Sequence, residues 1–164
     1  MCIRDRDSDK GVRLEALLTL GKLDGAALAK HAAAVVVAKL EDSNAGVRRA
    51  AVETLGKLEG AALAEHAAAV VAMLEDSDED VRQAAVETLG KLEGAALAEH
   101  AAAVVARLED SQWNVRQAAV RALGKLIAQD APVVEAKLKA NLEDSEWELL
   151  ETHVPEVASR LGAR

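Results

Sequence analysis

The chain has 164 residues, 51% hydrophobic and 29% charged, with a formal net charge of −8, a size that allows one domain with a sizeable core. Alanine supplies 36 residues, Phe and Tyr are absent and only two Trp and two Pro occur, which favours helix and argues against a β-sandwich. The one cysteine, Cys2, excludes an internal disulfide and a cysteine-based zinc site, and no apolar run reaches the ~18 residues of a membrane span.

Taken in chain order, Met1-Cys2-Ile3-Arg4-Asp5-Arg6 matches nothing downstream. It does match the translation of a transposase adapter used in sequencing libraries, so residues 1–6 are expected to be an assembly scar outside the fold. From Asp7 onward a repeat governs the sequence. Leu-Glu-Asp-Ser recurs at Leu40, Leu74, Leu108 and Leu142, spaced by 34 residues. The units run 7–41, 42–75, 76–109 and 110–143, followed by a terminal segment, 144–164. The first unit is one residue longer, and the run Val35-Val36-Val37 carries the extra residue by sequence alignment.

Each unit predicts two helices. The first follows a polar cluster such as Asp76-Ser77-Asp78, where short oxygen-bearing side chains, the serines Ser8, Ser43, Ser77, Ser111 and Ser145 among them, suit helix caps. Ser145 and Glu148 have the spacing of a capping box. Val81, Ala84, Ala85, Leu89 and Leu92 form a helical apolar stripe, and Gly90 sits near the expected end. After the break at Glu93-Gly94, a second helix is predicted over about Leu97–Leu108, with Leu97, Ala101, Val104, Val105 and Leu108 on one face. No hairpin of this kind buries its apolar face alone, so neighbours must stack.

The pattern Asp-Ser-x-x-x-Val-Arg-x-Ala-Ala-Val-x-x-Leu-Gly-x-Leu stands at Asp42–Leu58, Asp76–Leu92 and Asp110–Leu126. It resembles the HEAT repeat, in particular the short bilin-lyase-like variety. The resemblance covers residues 7–143 and implies an all-α fold, a right-handed α-solenoid of stacked antiparallel helix pairs. It further implies that Asp42, Asp76 and Asp110 form a structural ladder between repeats with Arg13, Arg48, Arg82 and Arg116, since an Arg fork satisfies a carboxylate and loop carbonyls together.

His31, His66 and His100 share one repeat position, preceded by Lys30, Glu65 and Glu99. Some HEAT-type hydroxylases bind two irons through His-Glu dipeptides, but the order here is reversed and stacked helices stand about 10 Å apart, too far for adjacent copies to share one metal. No catalytic, metal or cofactor residues are therefore assigned, and the expectation is a non-catalytic scaffold. A fragment of a HEAT-like lyase or di-iron hydroxylase is the alternative.

Where units differ, side chains are free to meet partners. The fourth position reads Lys10, Ala45, Glu79, Trp113 and Trp147; the fifth includes Asp80 and Asn114; the eighth includes Arg49, Gln83 and Gln117. Trp113, Trp147, Asn114, Gln117, Glu79 and Asp80 are the candidate protein-binding residues, with exposed Trp as the anchor type. Residues 42–164 hold 22 acidic and 13 basic side chains, so the partner expected is a protein or peptide with a basic segment rather than nucleic acid or membrane. A cytoplasmic monomer is the accompanying expectation. The terminal segment should act as a polar cap, with Pro155 interrupting its helix. The apolar first helix (Leu14, Leu17, Leu18) has no such cap, which suggests further repeats ahead of it.

Overall fold

The computed structural model describes residues 9–31, 33–128 and 144–161. The expected scar at 1–6 and the degenerate second helix of the fourth unit around Pro132 lie outside them. Among the described residues every regular element is helical: α1 (Asp9–Leu20), α2 (Gly25–His31), α3 (Ala33–Val37), α4 (Ala45–Leu55), α5 (Gly60–Ala64), α6 (Ala67–Ala72), α7 (Glu79–Leu89), α8 (Gly94–Glu99), α9 (Ala101–Val105), α10 (Trp113–Ala128), α11 (Asp144–His153) and α12 (Pro155–Leu161). Short 3-10 turns follow α6 and α9.

The architecture is a helical solenoid. α1, α4, α7 and α10 pack side by side in sequence order, and α3, α6 and α9 each pack against the first helix of the next repeat. One continuous core runs along the stack, built from the predicted stripes. Val81, Ala84, Ala85, Leu89 and Leu92 are buried, as are Leu97, Ala101, Val104, Val105 and Leu108. Small alanines let the helices approach closely, so the core holds mainly Ala, Val and Leu.

Four local features differ from the sequence expectation. In the second and third repeats the cap is not the serine but the third residue of the unit. Asn44 Oδ1 accepts from the Val47 N–H at 3.3 Å, and Asp78 Oδ1 from the Asp80 and Val81 N–H groups at 3.1 and 3.3 Å. The chain passes from extended to helical backbone at that residue, which places its oxygen over the free N–H groups. Ser145 lies inside α11, so no capping box forms there.

In the second and third repeats the second helix is broken in two at its histidine, whose backbone leaves helical geometry (φ −107° at His66, −110° at His100). Packing rather than propagation holds these short halves, with Leu63 and Leu97 anchoring the first and Val70 and Val104 the second. In the long first unit, Ala33 and Val36 occupy the buried places of Ala67 and Val70. The extra residue is therefore absorbed ahead of Ala33, not in the valine run.

Finally, Gly90 and its equivalent Gly56 end their helices with right-handed backbone (φ −64° and −65°). Left-handed geometry falls instead at Gly60 and Gly94, which open the second helices at φ +53° and +49°.

Candidate functional site

Two polar ladders fix the surface of the stack. At the start of the first helices, Arg13 meets Asp42 at 2.6 Å, Arg48 meets Asp76 at 2.7 Å and Arg82 meets Asp110 at 2.9 Å, each carboxylate belonging to the next repeat. Arg48 and Arg82 engage their carboxylates through two nitrogens. They also donate to the carbonyls of Asp42 and Asp76 in their own loops. Arg116 donates to the carbonyls of Asp110 and Ser111.

Each Asp additionally accepts a backbone N–H two residues on, from Asn44, Asp78 and Gln112. Burial by itself would raise the carboxyl pKa of Asp42, Asp76 and Asp110. The guanidinium of Arg13, Arg48 or Arg82 and that backbone N–H outweigh it, so all three lie below the usual carboxylate value. The same hydrogen bonds push Arg48 and Arg82 upward.

The second ladder was not anticipated. Lys57, Lys91 and Lys125 reach back to the carbonyls of Gly21, Gly56 and Gly90, the residues that directly follow the preceding first helices. A cation there meets the negative end of the helix dipole and an unpaired carbonyl together. The signal was present as a Gly-Lys pair in every unit, at Gly21-Lys22, Gly56-Lys57, Gly90-Lys91 and Gly124-Lys125. Close approach also explains the glycines: a Cβ on Gly56 would stand 2.8 Å from Thr88 Oγ1 and 3.0 Å from Lys91 Nζ.

The structure separates the residues singled out for binding. Trp113, at the start of α10, is 64% exposed, whereas Trp147 is 5% exposed. The reason is local packing: α11 lies against α9, the 3-10 turn at Ala106–Glu109 and α12, and these contacts enclose its inner face. Trp147 is thus a core residue and not a second surface anchor. Glu79 and Asp80 are exposed at the start of α7. Asp80 lies 3.3 Å from Arg49, and Asn114 Nδ2 donates to Gln83 Oε1 at 2.8 Å. Gln117 accepts from Arg121 at 3.3 Å. The Arg49–Asp80 and Asn114–Gln83 contacts tie neighbouring first helices into one edge that carries the exposed Trp113.

Among the described residues no three or more His, Cys, Asp or Glu side chains stand together as a metal site. None of the helices searched is long and apolar enough to cross a membrane.

The sequence profile of the HEAT repeats matches residues 3–89 and 67–154. No curated protein matches the sequence. Among solved structures, a designed armadillo repeat protein in complex with the peptide (KR)4 superposes with a TM-score of 0.68 at 20% identity, over 96% of this chain and 76% of that one. An engineered protein gives a TM-score of 0.69 at 17% identity, over 96% and 74%. The complex of CpcE and CpcF of phycocyanin lyase from Nostoc sp. PCC7120 gives 0.52 at 16% identity, over 92% and 96%.

Proposed function

The chain belongs to the HEAT-repeat family, and on that premise we propose a non-catalytic scaffold that binds another protein or a peptide, with a basic segment as the preferred ligand. The observation that carries this reading is Trp113, an indole 64% exposed on an edge braced by inter-repeat side-chain bonds. A large aromatic presented on a rigid element is the residue type that concentrates binding energy, and a net charge of −8 attracts cationic partners. A protein of similar architecture that holds (KR)4 supports the choice of a basic peptide. The same reading takes the chain as part of a longer repeat protein, supported by the apolar side chains that α1 leaves exposed.

Calorimetric titration of a (KR)4 peptide into the full chain tests the proposal. The parent should bind, binding should weaken with added salt, and Trp113→Ala should lose at least about tenfold in affinity. Equal affinity of parent and Trp113→Ala, or equal binding of an acidic peptide of the same length, would show the placement to be wrong.

A second reading, a subunit of a HEAT-like lyase or hydroxylase, is favoured by the likeness to the phycocyanin lyase complex, which covers 96% of that chain. It predicts visible absorbance retained through gel filtration after incubation with a linear tetrapyrrole, or bound iron in the purified protein. A folded, colourless and iron-free protein after both treatments counts against it.

A further inference from the structure

At each junction between repeats, the later first helix buries one recurring set of side chains against the earlier repeat. Val47, Val81 and Val115 are 1%, 0% and 0% exposed. The helices that carry them, α4, α7 and α10, pack against α1 and α3, α4 and α6, and α7 and α9 respectively. Leu58 and Leu92 are buried at the far end of the same faces. Lys57, Lys91 and Lys125 complete the set by donating to the preceding glycine carbonyls.

The first repeat presents this set uncovered. Val12, equivalent to Val47, is 64% exposed, and Leu23, equivalent to Leu58, is 40% exposed. Lys22 is exposed and has no acceptor among the described residues. At the opposite end, α11 and α12 turn outward Glu148, Glu151, Thr152, His153, Glu156 and Ser159. The two ends do not complement each other, so head-to-tail stacking of copies is disfavoured.

We infer that the exposed face of α1 docks one further helix hairpin of the same repeat type, joined ahead of α1 in the polypeptide. Continuity with the three junctions already formed selects this occupant. Every equivalent face is covered by the hairpin immediately preceding it in sequence. The docked hairpin supplies a first helix that ends in glycine, whose free carbonyl accepts from Lys22, and small apolar side chains that close over Val12 and Leu23. The inference concerns the end of the stack and is independent of what binds along the Trp113 edge.

The test inserts a second copy of residues 42–75 between Arg6 and Asp7 of the full chain, with a copy of 76–109 as an alternative insert. Amide hydrogen exchange in α1 should slow by at least about tenfold relative to the parent. Lys22→Ala should remove part of that gain in the extended protein and change nothing in the parent. Unchanged exchange in α1 with both inserts overturns the inference, since neither hairpin then docks. A parent that sediments as a dimer, and that Val12→Glu converts to monomer, also overturns it by showing a second copy on this face.

Discussion

Gly56→Ala and Gly124→Ala alter the same repeat position, and the structure predicts opposite signs. At Gly56 the backbone is right-handed (φ −65°), so alanine is conformationally allowed and would by itself add about 0.4–1 kcal/mol by restricting the unfolded chain. The new Cβ, however, stands 2.8 Å from Thr88 Oγ1, 3.0 Å from Lys91 Nζ and 3.3 Å from the Glu53 carbonyl. The lysine head can move, but Thr88 is buried with its hydroxyl directed at the Val52 carbonyl. Overpacking of this kind costs about 1–3 kcal/mol, leaving a net loss of about 1–2 kcal/mol. At about 2–4 °C per kcal/mol for a chain of this size, Tm should fall by about 2–8 °C. At Gly124 a Cβ meets nothing within 4 Å among the described residues. That glycine lies inside α10, so alanine should gain about 1 kcal/mol and raise Tm by about 2–4 °C. Thermal melts followed by circular dichroism read both effects, and amide exchange at the α4–α7 junction localises the first, since repeat arrays can melt in parts. Thr88→Ala in the Gly56→Ala background should recover part of the loss. A Gly56→Ala protein as stable as the parent, or a destabilised Gly124→Ala protein, would refute the close-approach account of these glycines.

Three further outcomes are expected. Arg82→Ala leaves the largely buried Asp110 carboxylate without its guanidinium, costing about 2–4 kcal/mol, while Arg49→Ala, in an exposed pair with Glu53, should stay within about 1 kcal/mol; urea melts of the two variants that coincide would refute the ladder's energetic role. Because Asp42, Asp76 and Asp110 titrate below 3.8 in the folded state, the unfolded chain binds their protons first as pH falls. Their stabilisation is therefore fully present above the unfolded carboxylate range and is lost as pH drops through the folded values. Melting curves should show an acid-side decline that begins near about pH 4 and shrinks in Asp76→Asn; an undiminished decline there would contradict the assignment. Acrylamide should quench the Trp147→Phe protein, which keeps Trp113, far more strongly than Trp113→Phe, which keeps Trp147; equal quenching would contradict the burial difference.

The period of 34, the apolar stripes and the Asp-Ser and Val-Arg motifs were enough to specify an all-α stack, because helix amphipathicity is a one-dimensional signal and a repeated stripe leaves stacking as the way to bury it. Which residues cap was less legible. Serine, asparagine and aspartate share the chemistry, and only the backbone path shows that Asn44 and Asp78 stand at the turn into the helix. The lysine ladder was written in every unit, yet its meaning depends on a carbonyl 35 residues away, as for Lys91 and Gly56. No local pattern reveals that distance. The same holds for the glycines, whose reason is a neighbour's side chain and not their own φ.

Trp113 and Trp147 make the limit plainest. They hold one repeat position and look alike in sequence, but α12, α9 and the 3-10 turn at Ala106–Glu109 enclose the face of α11 that carries Trp147, while α10 leaves Trp113 in solvent. The sequence by itself determined the helices, their order and their buried stripes, since these follow from residue spacing along one chain segment. Tertiary structure alone decided which equivalent side chains face water, because exposure is set by whatever packs on the other side.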